Sequence, residues 1–372
     1  LALSIGAAFG QSAASATAER NGNLWLVELS GAPTADRNSL SAAQAEKAAF
    51  RRAAATAGIR YTERRAFDVL FNGFSIEVSP ADRLKLARLP GVAAMYPVEV
   101  IAAPTPDMGA GGSAPDLATA INMTGANIAQ SSLGLTGAGI KVAVMDTGID
   151  IDHPDLGGGG VNGGTVFPSA RVTHGYDFVG DAFNADPASA GYNPTPTPDG
   201  NPDDCGGHGT HVAGIVGANG AAKGVAPGVT FGAYRVFGCA GSTTADIMIA
   251  AMERALADGM HVLNMSIGSS FQWPQYPTAQ ASDRLVNKGM VVVASIGNSG
   301  TSGLYAAGAP GVGKKVIGVA SYDNTSVALS QFTISPDDTP IGYGPATGAP
   351  LPPTSGSSPM ALGRGSTHPR CS

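Results

Sequence analysis

Four short segments hold residues able to do acid–base and acyl-transfer chemistry. Asp146 follows the apolar run Lys141–Met145 in V-A-V-M-D-T-G-I-D. A carboxylate at the C-terminal end of a buried parallel strand can accept an imidazole Nδ1–H, hold its tautomer and stabilise the imidazolium formed during reaction. The triplet D-T-G also suits a helix-capping Asp, or one of two carboxylates sharing a proton, but a second D-T-G does not occur. His208 and His211 lie in G-G-H-G-T-H-V-A-G, where the glycines allow a tight turn before a helix that buries Val212, Ala213, Ile215 and Val216. His208 is the candidate general base, and His211, turned to the protein body, the structural one. The pair's spacing also invites a metal, yet it lacks the H-E-x-x-H pattern and its glutamate. Asn298, in A-S-I-G-N-S-G, could donate its amide to an oxyanion or serve as a turn asparagine. Ser266, Ile267 and Gly268 follow the apolar run Val262–Met265, where an exposed strand end can bond an extended peptide or end an ordinary strand.

The elements that must position these groups form an α/β pattern over 116–334. Short apolar runs at Ile140–Met145, Thr230–Val236, Val262–Met265, Met290–Ser295 and Val316–Ala320 read as buried parallel strands. Helices fall at Thr244–Gly259 and Thr278–Gly289, each closed by glycine. A doubly wound, mostly parallel sheet is predicted. Residues 157–204 read as a surface-loop insertion. Ahead of this body, 24–100 reads as a small α+β unit of order β-α-β-β-α-β. Its strands are Leu24–Leu29, 66–71, 74–78 and Gly91–Val100. Its helices are 40–56, capped by Ser39, and one opened by Pro80 and running to Leu89. Residues 101–115 read as an exposed, cleavable linker. Residues 335–372 read as an irregular tail.

Composition narrows the classes. The 372 residues include 43% hydrophobic, 13% charged, 52 Gly and 26 Pro, which suits one large core with many turns. A net charge of −6 argues against a nucleic-acid or anionic-membrane partner. No apolar run is long enough to span a bilayer. Residues 1–16 look like the apolar part of a secretion signal ending in Ala14-Ser15-Ala16. Export would permit a Cys205–Cys239 disulfide, with Cys371 left over.

The long form D-T-G-I-D-I-D-H-P-D-L, with H-G-T-H-V-A-G, G-V-A-P-G at 224–228 and A-S-I-G-N, resembles the subtilisin-like serine proteases. The resemblance covers roughly 24–330. It implies a secreted endopeptidase precursor, monomeric, acting on polypeptides without a catalytic cofactor. Residues 24–100 would be its inhibitory propeptide, Asp146 the orienting acid, His208 the base and Asn298 an oxyanion donor, with Ser266 to Gly268 lining the cleft. Structural calcium is common in the family, and Asp155 sits where some members place a ligand. The family's serine segment, G-T-S-M-A-x-P-H, does not occur. The nearest string, Gly356-Ser357-Ser358-Pro359-Met360-Ala361, carries an extra proline, and Ser366 in G-S-T-H-P is more remote. The expectation is a truncated, inactive form, its frame altered near Ala361 and its tail the start of an inserted protease-associated domain. The alternative is a non-catalytic, peptide-binding protein on a dead protease scaffold.

Overall fold

The computed structural model describes residues 23–104, 117–325 and 330–343. The N-terminal module runs β1 (Leu24–Leu29), α1 (Leu40–Thr56), β2 (Tyr61–Phe67), β3 (Gly73–Val78), α2 (Pro80–Leu86) and β4 (Val92–Pro97). Its antiparallel sheet has the order β2-β3-β1-β4. Ser39 caps α1 by accepting the Ala42 N–H at 3.1 Å, and Ser79 caps α2 through Asp82 N–H at 3.1 Å, with Pro80 in the first turn. Val27, Phe50, Phe74 and Ile76 fill the space between sheet and helices.

Two expectations for this module shift. The strand placed at 66–71 lies at Tyr61–Phe67 instead. Y-T-E-R-R-A-F is charged because β2 is an edge strand, whereas Leu70 and Phe71 are buried against the body of the protein. The linker expected from residue 101 begins later, because Val100–Ala102 forms β5 and Ile101 is buried. Residues 105–115 lie outside the described residues.

Short helices α3 (Leu117–Met123) and α4 (Ala126–Ser131) lead into the body. There follow β6 (Lys141–Asp146), β7 (Val172–Asp177), α5 (His208–Gly217), β8 (Thr230–Arg235), β9 (Ser242–Thr244), α6 (Ala245–Ala257), β10 (Val262–Met265), α7 (Pro277–Asn287), β11 (Val291–Ser295) and β12 (Ile317–Val319). The parallel sheet has the order β12-β11-β10-β6-β8-β7. Strands added after β6 go first to one side and then to the other. β6 therefore stands at the switch point, where a crevice opens beyond the strand ends. Gly259 and Gly289, at φ 65° and 94°, end α6 and α7 as the sequence suggests.

The region 157–204 is not wholly loop. V-T-H-G-Y-D at 172–177 supplies the edge strand β7, whose lack of an apolar run hides it from pattern reading. Beyond the sheet, β13 (Ser330–Ile334) and β14 (Thr339–Tyr343) form an antiparallel hairpin. The hairpin straddles the boundary expected at 334 and gives regular structure to part of the tail. It belongs to a second compact unit. The first unit holds the N-terminal module and the α/β body.

Candidate active site

β6 delivers Asp146 to the C-terminal edge of the sheet, where its side chain is fully buried. α5 begins at His208, and His208 Nδ1 lies 2.8 Å from Asp146 Oδ1. Thr147 N–H donates to the same oxygen at 2.8 Å, and Gly209 N–H donates to Thr147 Oγ1 at 2.9 Å. The fit leaves no space for a side chain at 209, since a Cβ there would lie 2.1 Å from Gly148 O. Gly207 enters the helix at φ 83°, a left-handed value that favours glycine. Burial pushes the Asp146 carboxyl up, and the bond and charge of His208 oppose this. The side chain of His208 is 15% exposed.

The two histidines part company. His211 is exposed rather than turned to the protein body, and Ile215 is 41% exposed. The helix buries a narrow stripe of Val212, Ala213 and Gly217, and positions 211 and 215 share its outer face. The remaining candidates lie at the same sheet edge on neighbouring strands. Asn298 is exposed in the loop after β11, two strands from β6. Ser266 Oγ donates to Asn264 Oδ1 at 3.1 Å. Ile267 is buried, which anchors its segment. Ser269 N–H is already taken by Ala309 O at 3.0 Å.

A strand beside the site that sequence reading missed is β9. It pairs antiparallel with β5, matching Val100 to Thr244, Ile101 to Thr243 and Ala102 to Ser242. Ala103 N–H to Gly241 O at 2.9 Å and Ala245 N–H to Glu99 O at 3.0 Å extend the ladder. Ala102 to Pro104 then enter a cavity of about 420 Å³ that also touches Thr147 and Gly206, the neighbours of the Asp–His pair. The only sequence signal is S-T-T between Gly241 and a helix, too short to read as a strand.

Cys205 and Cys239 are disulfide-bonded, joining the approach to His208 to the approach to β9. Among the described residues these cysteines and Asp181 form the one cluster spaced for a metal, and the disulfide removes both thiolates. Asp155 straps a neighbouring loop. Its Oδ1 accepts Ala221 N–H at 2.7 Å and its Oδ2 accepts Ala222 N–H at 2.9 Å.

With the site in view, the comparisons agree on one family. The subtilase family model matches residues 137–362, and the chain belongs to the subtilase family. It is 37% identical over 277 residues to the minor extracellular protease Vpr of Bacillus subtilis, covering 73% of this chain and 31% of the relative. It is 34% identical to subtilisin Savinase of Lederbergia lenta, over 54% of this chain and 62% of the relative. It is 36% identical to subtilisin DY of Bacillus licheniformis, over 51% and 59%. The chain thus spans about a third of the first relative's length and about three fifths of each of the other two. Among the described residues, no helix is long and apolar enough to cross a membrane.

Proposed function

We propose that this chain supplies the acid and base of a secreted serine endopeptidase acting on extended polypeptides, with residues 24–102 as its intramolecular inhibitor. The observation that carries the reading is the Asp146–His208 bond of 2.8 Å beside a strand already laid on β9. In this reading His208 Nε2 takes the proton of a serine hydroxyl as the oxygen attacks the scissile carbonyl carbon. Asp146 stabilises the imidazolium, which then protonates the departing amine. The Asn298 amide donates to the oxyanion, and main chain at β9 and at Ser266–Gly268 holds the substrate extended. Segment 99–103 occupies the β9 side of this cleft as a substrate would, which supports inhibition in cis. The serines of G-S-S-P-M-A lie outside the described residues.

The test is labelling of the purified chain with a fluorophosphonate probe, alongside hydrolysis of a quenched peptide, in the wild type and His208→Ala. Labelling at one serine that His208→Ala abolishes supports the reading. The proline in G-S-S-P-M-A favours a second one, a peptide-holding scaffold without a nucleophile. That reading expects no labelling, with a peptide of sequence 99–104 still bound once the N-terminal module is removed by proteolysis.

A further inference from the structure

We propose that Asp204 is a positioning residue for His208: its carboxylate ties down the turn into α5 and so sets the imidazole against Asp146. The inference rests on His208 acting as the base. Asp204 Oδ1 accepts Gly206 N–H at 2.8 Å and Gly207 N–H at 2.9 Å. Its Oδ2 accepts Thr210 N–H at 3.0 Å and the Thr210 hydroxyl at 2.5 Å. One side chain thus holds donors on both sides of His208 in the chain. Thr210 Oγ1 in turn accepts Asp150 N–H at 2.9 Å, which carries the tie across to the segment that follows Asp146.

The turn needs such a tie. Gly206 and Gly207 are the two residues leading into His208, and glycine pairs range widely over backbone conformations. A hydrogen bond weakens steeply as its angle degrades, and a displacement of about 1 Å at a reacting group can cost about a hundredfold in rate. The disulfide at the adjacent Cys205 fixes the chain only as far as the start of the turn. From there to the helix, Asp204 restrains the backbone. A plain helix cap would satisfy α5 without bearing on the imidazole. The two roles separate experimentally because Asp155 straps the loop that follows the same helix, through Ala221 and Ala222.

The test is proton NMR of the full chain, well below its melting temperature. It follows the far-downfield resonance of an imidazole Nδ1–H held by a carboxylate, assigned by its loss in His208→Ala. Asp204→Asn replaces one acceptor oxygen with an amide N–H₂ that opposes Thr210 N–H. It is expected to abolish the resonance or move it upfield, and to speed amide exchange at Thr210 about tenfold. Asp155→Asn is expected to lower the melting temperature and leave the resonance in place. If Asp204→Asn melts earlier but keeps an unmoved resonance, Asp204 is a helix cap only and the proposal is overturned. If the wild type itself shows no such resonance, the Asp146–His208 pairing fails in solution and takes the proposal with it. Should Asp204→Asn not fold, Thr210→Val removes one of the four donors and is expected to give the same upfield movement on a smaller scale.

Discussion

Among the described residues two aspartates have no exposed surface, and they are built for opposite ends. Asp146 faces an imidazole, whose charge can come and go. Burial leaves its carboxyl above the ordinary carboxylate range. Asp246, in the first turn of α6, faces permanent charge and a hydroxyl. Arg64 Nε lies 3.6 Å from its Oδ2, and Ser75 Oγ donates to that oxygen at 2.7 Å. Burial again pushes the carboxyl up, but the Arg64 charge and the hydroxyl bonds outweigh it and hold the group below its ordinary value. The first aspartate is poised to respond to a proton on its partner. The second is locked ionised and joins the N-terminal module to the body. Burial alone therefore does not distinguish the carboxylate proposed as catalytic from the docking one; the identity of its partner does.

The largest effect expected is at the first. Asp146→Asn keeps the volume but supplies an N–H₂ or a lone oxygen to His208, favouring the wrong tautomer. Peptide hydrolysis is expected to fall about 10⁴-fold in kcat, with a melting temperature close to that of the wild type. A fall under tenfold would remove Asp146 from the mechanism. At the second aspartate the order reverses. Asp246→Asn leaves Arg64 without its counter-ion in a mostly buried setting and is expected to cost about 3 kcal/mol of stability, read by denaturant unfolding. Its effect on hydrolysis, measured on chain freed of its N-terminal module, is expected to be slight. Equal losses of rate at the two positions would erase the distinction.

The same comparison explains what the sequence could tell. Asp146 and His208 are 62 positions apart, yet each sits in a contiguous string whose glycines betray the close packing around it, as the 2.1 Å approach at 209 shows. The sheet was legible for a similar reason, since buried parallel strands are written as apolar runs. The docking surface has no such string. Ser75 meets Asp246 across 171 positions, Leu70 meets Glu253 across 183, and Tyr276 meets Pro97 across 179, each through one polar atom on an otherwise ordinary helix or turn. Strand β7 escaped because edge strands need no apolar run. His211 and Ile215 were misplaced because a helix of this length can bury a narrow stripe, and composition does not say which one.

Glu253 sharpens the contrast, because it docks the module yet titrates. Its Oε1 accepts Leu70 N–H at 2.8 Å and Val69 N–H at 3.1 Å. Burial raises the carboxyl to about 7 from an ordinary 4.5, with the backbone amides of Leu70, Val69 and Phe71 opposing the rise. A group raised in the folded state stabilises fully below its unfolded value and loses that contribution as pH climbs through the folded one. The fold is therefore expected to weaken by about 1–3 kcal/mol between pH 5 and pH 8. Glu253→Gln, neutral throughout, is expected to flatten that dependence in melting curves taken at each pH. A slope that survives the substitution would assign the titration to another group.

The smallest effect tests whether docking and site are coupled at all. The Tyr276 hydroxyl donates to Pro97 O at 2.9 Å and accepts Glu99 N–H at 3.0 Å, at the point where the module's last strand gives way to β5. Tyr276→Phe keeps the ring in the core and removes both bonds, at an expected cost of about 1–2 kcal/mol. The loss is local, so its signature is local. Amide exchange at Ala103 and Ala245, which close the two ends of the β5–β9 ladder, is expected to quicken, while exchange at Gly209 beside His208 stays as it was. Faster exchange at Gly209 as well would mean that the docked strand and the Asp–His pair open together. The two carboxylate regions would then be one cooperative unit rather than two.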